Sequence, residues 1–288
     1  MQAYRDIVQH VLENGVRQSN RTGMEATSVP GVLFEHDMSQ GFPLLTTKKI
    51  TFRLVASELE FFIKGITDKK WLWDRNNRIW DEWCSPDRVS YGHDAETRER
   101  MKSERELGPI YGWQWRNFGA RYAGYGVPPE GEGVDQLKIL VHKLKTDPTD
   151  RRMLVSAWNP ADFTRMALPP CHYGFQTTVA AGRLNLLWNQ RSVDVALGLP
   201  FNISSYALLL HLLAREAGLQ EGRLIGFLAD THIYVNHFTG LERQLRREPL
   251  PLPTIRTDGF SSLFDWSYTD TSVENYRHHP GIQFEIAV

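Results

Sequence analysis

The sequence contains few cysteines and has no long run of apolar residues. Only two of its 288 residues are cysteines, Cys84 and Cys171. They are too far apart for a compact zinc-ligand spacing, and nothing suggests a disulfide framework, although one disulfide is arithmetically allowed. The longest apolar stretch, Tyr206–Leu210, is soon followed by the charged residues Arg215 and Glu216. This interruption excludes a membrane span.

The chain also lacks an excess of charge of either sign. Lys plus Arg number 33 and Asp plus Glu number 34, which gives a net charge of -1. General nucleic-acid binding is disfavoured because it needs a positive field, whereas a small anion needs only a local arginine cluster. The segment 1–15 has amphipathic helical spacing and no uninterrupted apolar core of the kind found in signal peptides. We therefore expect a soluble protein of the cytoplasm.

The hydrophobic content of 41% is typical of ordinary globular domains. Apolar spacing and turn residues predict helices near residues 4–15, 54–65, 134–145, 203–217 and 233–246. They predict strands near residues 27–38 (with a break at Pro30-Gly31), 153–158, 173–181, 183–190 and 226–229. The charged segment 84–106 and the Gly/Pro-rich segment 120–132 interrupt this pattern, which indicates surface insertions. We expect one α+β domain over residues 1–288.

Cys171 is the candidate nucleophile. It follows two prolines in Leu168-Pro-Pro-Cys-His172, and a histidine follows it directly. A cysteine becomes nucleophilic when nearby positive charge lowers the pKa of its thiol. Most lone cysteines are instead small, buried apolar residues, so the motif alone leaves both interpretations open.

Several arginines lie beside predicted turns or strand ends. They are Arg21, Arg151, Arg152 and Arg191, and the last is followed by Ser192. Guanidinium groups pair with phosphate oxygens, and a serine hydroxyl can add a further hydrogen bond. Each arginine alone is best explained as a solvated surface residue, so a monophosphate site requires that several of them converge.

Glu58 is predicted on the apolar face of the second helix, where a carboxylate must be paired, hydrogen-bonded or functional. Glu60 should point elsewhere and be solvated. Trp80 and Trp83 are three residues apart and could form a stacking wall for a planar ligand, although core packing is the commoner role of such a pair. The ten histidines show no HExxH or similar spacing, so no metal site is predicted.

These features occur together in an order that closely resembles the folate-dependent thymidylate synthase family. The segments that carry the resemblance are Asn20-Arg-Thr-Gly23, Gly41-Phe-Pro-Leu-Leu-Thr-Thr-Lys-Lys49, Ile79-Trp-Asp-Glu-Trp83, Gly108-Pro-Ile-Tyr-Gly-Trp-Gln-Trp115, Asp150-Arg-Arg152, Leu168-Pro-Pro-Cys-His172, Asn189-Gln-Arg-Ser-Val-Asp194, Leu197-Gly-Leu-Pro-Phe-Asn-Ile-Ser-Ser-Tyr206, Asp230-Thr-His-Ile-Tyr234 and Ile286-Ala-Val288. They cover nearly the whole chain except the two insertions. No single motif is conclusive, but this many in one order is a specific signal.

The resemblance implies the family's α+β fold, in which helices flank a large mixed sheet. One face of that sheet is expected to pack against the same sheet of a second subunit, which gives an obligate homodimer. The resemblance also implies reductive methylation of deoxyuridylate (dUMP) to thymidylate (dTMP), with 5,10-methylenetetrahydrofolate as co-substrate and without a metal. The implied catalytic residues are Cys171, Glu58, Tyr111, His172, Arg191, Asp194 and Asn202.

By the same resemblance, Cys171 adds to C6 of the pyrimidine, while Arg191 binds the phosphate and helps to keep the thiol ionised. Glu58, Tyr111 and His172 belong to a network that moves protons. The implied nucleotide contacts also include Arg21, Ser192, Gln190, Asp194, Asn202 for the base, His232 and Tyr234 for the ribose, and Arg151 and Arg152 from the partner subunit.

The implied folate contacts are Thr51, Ile79, Trp80, Trp83, Asp194, Leu197, Gly198, Phe201 and Ala287. The terminal residues Ala287 and Val288 are expected to close over the bound ligands. The sequence departs from the family pattern at Thr51, where a folate-contacting histidine is frequent. It also carries Asn189 and Ala196 where aromatic residues are usual, and such smaller or more polar side chains could admit an extra water.

Three alternatives follow. A dUMP 5-hydroxymethylase would use the same folate and cysteine, with water in place of hydride; Asn202 favours uracil over cytosine in either enzyme. A nucleotide-binding protein without turnover would not need the thiol. A Cys-His hydrolase would leave the arginines unexplained and would need an oxyanion hole that no motif indicates.

Overall fold

The computed structural model describes residues 1–20 and 23–286 of the chain. Its centre is a six-stranded sheet with the strand order β1-β2-β6-β5-β4-β3. The strands are β1 (Val16–Gln18), β2 (Ala26–Asp37), β3 (Leu154–Ser156), β4 (His172–Ala180), β5 (Arg183–Asp194) and β6 (Gln220–Tyr234). Neighbouring strands are antiparallel except β5 and β6, which are parallel. The predicted mixed sheet of an α+β fold is thereby confirmed.

Eight helices accompany this sheet in the described part of the chain. They are α1 (Gln2–Asn14), α2 (Phe52–Ile63), α3 (Lys69–Trp73), α4 (Ala95–Ser103), α5 (Tyr111–Asn117), α6 (Gln136–Thr146), α7 (Gly198–Ala217) and α8 (Phe238–Leu245). A separate antiparallel ribbon consists of β7 (Thr254–Thr257) and β8 (Thr271–Glu274).

The helix α7 forms the centre of the core. It buries leucines and other side chains on all sides and packs against β5 and β6. It ends at Gly218, which has a φ of 65° and therefore adopts the left-handed conformation that glycine tolerates best. Helix α1 buries Tyr4, Ile7, Val8 and Val11 at helical spacing and covers β2. Helix α2 contacts α7 and α5, so it brings its side chains next to the core of the sheet.

The opposite face of the sheet carries exposed apolar side chains. Leu33 on β2 and Phe227 on β6 are register partners, and they are 54% and 47% exposed. Their sequence neighbours Phe34 and Leu228 are buried, as the alternation of side chains along a strand requires. The sheet therefore presents an apolar surface on the face away from α7.

Two predictions of secondary structure are wrong. The predicted helix at 233–246 begins only at residue 238, because β6 continues to Tyr234 and pairs with both β2 and β5. The predicted break at Pro30-Gly31 does not occur. Gly31 takes a φ of 67°, and the register with β6 is the same on both sides of it. Pairing along two strands thus overrides local sequence preference.

The two predicted insertions contact each other. Segment 84–106 contains α4. The two ends of segment 120–132 are joined by an isolated antiparallel β-bridge between Arg121 and Glu130. The contact is made by Glu106, the last residue of segment 84–106, which is 3% exposed. Its carboxylate accepts hydrogen bonds from the hydroxyl of Tyr122 and, at 2.9 Å, from the backbone N–H of Tyr125. One buried carboxylate therefore fixes both segments.

Within residues 1–20 and 23–286, no helix combines the length and the hydropathy that a membrane-spanning segment would need.

Candidate active site

Cys171 lies immediately before β4, where three elements meet. Its backbone N–H donates to the hydroxyl of Tyr111, at the start of α5, over 2.8 Å. Its carbonyl accepts from the backbone N–H of Arg191 on β5, also at 2.8 Å. The Nη2 atom of Arg191 is 3.9 Å from the Cys171 Sγ atom. Cys171 and Arg191 are thus brought together as the resemblance implies.

The two prolines before the cysteine hold this arginine. Arg191 Nε donates to the carbonyl of Pro170 at 3.0 Å, and Nη2 donates to that of Pro169 at 2.7 Å. The guanidinium also lies over the ring of Trp158, with its central carbon 5.7 Å from the ring centroid. These contacts restrict the rotamers of Arg191 and keep its positive charge beside the thiol.

The thiol is nevertheless not ionised by this charge alone. Burial raises the pKa of Cys171 above its ordinary value, and the nearby charge of Arg191 opposes that increase. The charge of Arg191 therefore acts on the thiol pKa in the direction that the resemblance implies, while burial acts against it. A group that accepts the thiol proton would therefore promote its reaction.

Glu58 is a candidate for proton transfer. Its Oε1 atom accepts from Trp80 Nε1 at 2.8 Å. Burial raises the pKa of Glu58 to about 7, and the hydrogen bond from Trp80 moderates that shift. A carboxyl group with a pKa near neutrality can both give and take a proton.

His172 is half-buried next to two tyrosines. Its Nδ1 atom lies 2.9 Å from the hydroxyl of Tyr206, and its ring centroid lies 4.4 Å from that of Tyr111. Burial lowers the pKa of His172 to about 3, and burial also raises the pKa of Tyr111. His172 is therefore a neutral hydrogen-bonding group at physiological pH, and Tyr111 is a neutral phenol.

Asn202, on the first turns of α7, is oriented by Gln190. The Gln190 Nε2 atom donates to Asn202 Oδ1 and to the carbonyl of Ser192, each at 3.0 Å. The Gln190 Oε1 atom accepts from Trp188 Nε1 at 3.1 Å. Gln190 is 2% exposed, so it is a buried support for Asn202. The Asn202 amide is thereby fixed with its Nδ2 donor pointing away from Gln190.

Several further residues that are predicted to contact the nucleotide lie together where the parallel strands β5 and β6 end. Asp194 is the register partner of His232, and the ring of His232 lies 5.2 Å from that of Tyr234. Ser192 lies two residues before Asp194 on the same strand. Asp194 Oδ1 accepts from the backbone N–H groups of Ala196 and Leu197, at 2.9 and 3.1 Å, which fixes its carboxylate before α7 begins.

The predicted folate contacts lie in two places. Ile79, Trp80 and Trp83 belong to the turns between α3 and segment 84–106, and the two indoles pack edge to face with centroids 5.9 Å apart. Leu197, Gly198 and Phe201 lie at the start of α7 and are partly buried. Thr51 is exposed and precedes α2 as its cap residue.

Some predicted site residues are not brought to this region. Arg151 and Arg152 are exposed in the loop between α6 and β3, where the Nε of Arg152 donates to Asp150 Oδ1 at 2.8 Å. A role in the site of the same subunit is not supported by these contacts. Arg21 and Ala287, with Val288, lie outside the described residues.

Other functional candidates carry little signal in the sequence. Tyr206, which contacts His172, is one of many apolar positions on α7 and gives no sign of its hydrogen bond. Lys48 is 4% exposed and donates to the carbonyl of Ala196 at 2.5 Å, and burial lowers its pKa to about 8. Only its place in the motif 41–49 could have indicated it.

The prediction for Glu60 is wrong. This side chain is 1% exposed, pairs with Lys64, and accepts from the backbone N–H of Tyr268 at 2.8 Å. Helix α2 is buried around most of its circumference, so a position off the main apolar face is not solvated there. Glu60 is thus a satisfied structural carboxylate.

Residues 1–20 and 23–286 contain no group of three or more His, Cys, Asp or Glu side chains arranged to hold a metal ion.

The chain is similar to known proteins over nearly its whole length. The model of the family described as thymidylate synthase matches residues 2–288. A bifunctional dihydrofolate reductase-thymidylate synthase from Paramecium tetraurelia is 42% identical over 290 residues, and the match covers 99% of this chain. The chain spans 61% of the length of that relative.

Proposed function

The chain belongs to the thymidylate synthase family, and from this premise we propose that it converts dUMP to dTMP by reductive methylation. The co-substrate is 5,10-methylenetetrahydrofolate. When bound, this folate supplies the one-carbon unit and the hydride, and it leaves as dihydrofolate.

The placement of the Cys171 thiol beside Arg191 and Tyr111 supports the proposal most strongly. The thiolate adds to C6 of the pyrimidine, and the C5–C6 electron pair moves toward O4, so that C5 becomes nucleophilic. C5 then forms a bond to the one-carbon unit and loses its proton. The bond between that carbon and the folate nitrogen breaks, and hydride from the folate adds to the carbon, which becomes the methyl group. The sulfur–C6 bond breaks at the end, and the thiolate is released for the next cycle.

The proton transfers need groups whose charge can change near pH 7. Glu58 meets this requirement because burial raises its pKa to about 7. His172 stays neutral and contributes through its hydrogen bond with Tyr206, whereas the Tyr111 hydroxyl accepts from the Cys171 backbone. We assign the acid–base role to Glu58 and the positioning of the surrounding network to the other two residues.

Asn202 is suited to read uracil. Its Nδ2 group can donate to O4 of the base, while Oδ1, which already accepts from Gln190, has a second lone pair for the N3–H. Cytosine presents an amino group in place of O4 and an unprotonated N3, which reverses both requirements. The fixed amide therefore favours the uracil base.

The proposed phosphate and ribose contacts come mainly from the ends of the parallel strands β5 and β6. Arg191 and Ser192 would hold the phosphate, and His232 with Tyr234 would hold the ribose. Arg21 would add a further guanidinium, and the partner subunit's Arg151 and Arg152 would reach the same phosphate. The exposure of these last two arginines in their own subunit supports a role across a dimer interface.

The residues expected at the folate site fit a flat, partly apolar ligand. Trp80, Trp83 and Ile79 offer an aromatic and aliphatic wall, and α2, beside that wall, packs against α7, which carries Phe201. The Asp194 carboxylate is oriented by two backbone N–H groups and can accept from the amino and ring N–H groups of a pterin. Leu197, Gly198, Thr51 and Ala287 complete the assigned set.

We further propose that the protein acts as a homodimer through the exposed sheet face. The apolar pair of Leu33 and Phe227 lies in register on that face, and such a patch is stabilised when a second copy covers it. The cytoplasm is the proposed compartment, because both cysteines are free and a reducing environment keeps thiols in that state.

The dUMP 5-hydroxymethylase is not favoured. The matching family is described as thymidylate synthase and the relative as a bifunctional dihydrofolate reductase-thymidylate synthase. These descriptions support hydride, in place of water, as the nucleophile that adds to the exocyclic carbon. A binding protein without turnover is disfavoured as well, because the Cys171 thiol and the carboxyl of Glu58 have no use in binding alone.

A Cys171→Ser variant tests the covalent step. We expect turnover to fall by at least about a thousandfold, because a serine hydroxyl is a far weaker nucleophile than a thiolate. Affinity for dUMP, measured by isothermal titration calorimetry, should be retained. Cys84→Ala is the matched control for loss of a thiol, since Cys84 packs in a separate cluster with Val89 and Met101, and it should keep turnover. Undiminished turnover in Cys171→Ser would refute covalent catalysis by Cys171.

A further inference from the structure

Lys69 is a completely buried lysine that none of the assignments above uses. Its exposed fraction is 0%. The Nζ atom donates to the carbonyl oxygen of Trp83 at 2.9 Å and to that of Met101 at 2.7 Å. Within the described residues, no carboxylate forms an ion pair with it. Burying an ammonium group is costly, and these two backbone contacts are its compensation.

The helix α3 supports the Trp80–Trp83 turns at two points. Lys69 holds the backbone at Trp83, and Trp73, four residues later on α3, donates from Nε1 to Asp81 Oδ1 at 2.7 Å. The Lys69 ammonium also lies 5.8 Å from the centre of the Trp73 ring. Residues at this spacing share one face of a helix, so α3 acts as a brace under the turns.

The braced turns carry the groups assigned to the folate site and to proton transfer. Trp83 packs edge to face on Trp80, and Trp80 donates to the Glu58 carboxylate at 2.8 Å. A shift of the backbone at residue 83 would therefore move both indoles and the hydrogen bond to Glu58. In the assigned site, the position of this wall determines the fit of the folate.

The second contact of Lys69 extends this support to segment 84–106. This segment starts directly after Trp83, and Met101 lies on its helix α4. The two ends of the segment are joined to each other, because the Ser85 N–H donates to the Glu106 carbonyl at 2.7 Å. The end of the segment is also joined to α3, because the Lys69 N–H donates to the Arg105 carbonyl at 2.8 Å. Lys69 therefore joins the inside of this loop to the wall that precedes it.

From these contacts we propose that Lys69 is a positioning residue for folate binding. Its ammonium group ties α4 of segment 84–106 to the Trp83 carbonyl and holds the Trp80–Trp83 wall where the folate packs. Segment 84–106 is then part of the folate site's support and not a passive surface insertion. This inference rests on the proposed function, because it assumes that the wall binds a reduced folate.

A Lys69→Met variant tests the proposal, with Lys70→Met as the matched control. Methionine keeps the length of the stem and removes the donors, whereas Lys70 is exposed and pairs with Asp74 on the surface. Steady-state assays should show the KM for 5,10-methylenetetrahydrofolate raised about tenfold, with the KM for dUMP changed less than about twofold. Dihydrofolate binding, followed by quenching of tryptophan fluorescence, should weaken in parallel. Lys70→Met should match the wild type in every readout.

A second variant keeps the test decisive if Lys69→Met does not fold. Trp73→Phe keeps a smaller aromatic ring and removes the indole donor to Asp81, so it loosens the same brace while Lys69 stays in place. It should also raise the folate KM selectively. An unchanged folate KM in folded Lys69→Met, or an equal rise of both KM values, would overturn the proposal. Failure of the wild-type chain to make dTMP would instead contradict the proposed function, so the two failures are distinguishable.

Discussion

The ionisable side chains around Cys171 owe their charge states mainly to burial. Burial raises the pKa of Glu58 to about 7 and lowers that of His172 to about 3, so the carboxyl and not the imidazole titrates near neutrality. The sequence alone indicated Glu58 by its place on an apolar helix face. It could not rank Glu58 against His172, because that ranking depends on how many neighbours surround each group in three dimensions.

A Glu58→Gln variant should be more stable than the wild type above neutral pH. The folded chain holds the Glu58 proton up to about pH 7, whereas the unfolded chain releases it near the ordinary pKa of 4.5. Since the unfolded state ionises first, wild-type stability falls as the pH rises between these values, and glutamine removes the loss. The difference in unfolding free energy should be near zero below pH 4.5.

That difference should grow to about 3 kcal/mol above pH 7, because one pKa unit corresponds to about 1.4 kcal/mol. Urea denaturation at a series of pH values measures it. Turnover should fall by at least about a hundredfold in the same variant, because the acid–base group is lost. A stability gain that does not depend on pH would show that the Glu58 carboxyl ionises normally in the folded chain.

At the scale of the elements, the close contact between β5 and β6 positions the site residues. Gly226 on β6 is the register partner of Trp188 on β5, and a Cβ atom at Gly226 would lie 2.5 Å from the Trp188 ring. That ring stacks on Tyr206 with centroids 5.4 Å apart, and Tyr206 in turn contacts His172. The sequence indicated a strand here but not its length, because pairing with two neighbouring strands extends β6 well beyond its apolar centre.

A Gly226→Ala substitution should therefore destabilise the protein by about 1–3 kcal/mol, which is the usual cost of overpacking a rigid core. Trp188 is fully buried and cannot move aside easily. Gly281→Ala is the control, since a Cβ atom there would meet no other atom within 4 Å. Thermal or urea unfolding measures both variants. Equal stability of the two would show that the β5–β6 contact tolerates a methyl group.

At the scale of the whole molecule, much of the fold was predictable because its motifs are spread along the chain in one order. The motifs that contain Cys171, Arg191 and Asn202 predict that these three residues belong to one site. The packing of segments 84–106 and 120–132 could not be predicted. It depends on single buried polar groups, Glu106 and Lys69, and charged residues in such segments are usually solvated.

Mixed dimers test whether Arg151 and Arg152 serve the partner's site. A Cys171→Ser chain and an Arg151→Glu/Arg152→Glu chain should each be inactive alone. If they are unfolded and refolded together, half of the dimers should be mixed, and each of these should have one intact site. Turnover should then recover to about a quarter of the wild-type value, because in the proposed two-fold dimer the chain that keeps Cys171 receives Arg151 and Arg152 from the other chain. No recovery, with mixed dimers shown by native mass spectrometry, would contradict sharing of the site.

The most direct test of the proposed function is mass spectrometry of the nucleotide after incubation of the purified chain with dUMP and 5,10-methylenetetrahydrofolate. Dihydrofolate is followed by absorbance in the same reaction, and Cys171→Ser serves as the inactive reference. We predict dTMP and dihydrofolate in equal amounts. A hydroxymethylated nucleotide with tetrahydrofolate, or unchanged dUMP, would contradict the proposal that this chain is a thymidylate-forming methyltransferase.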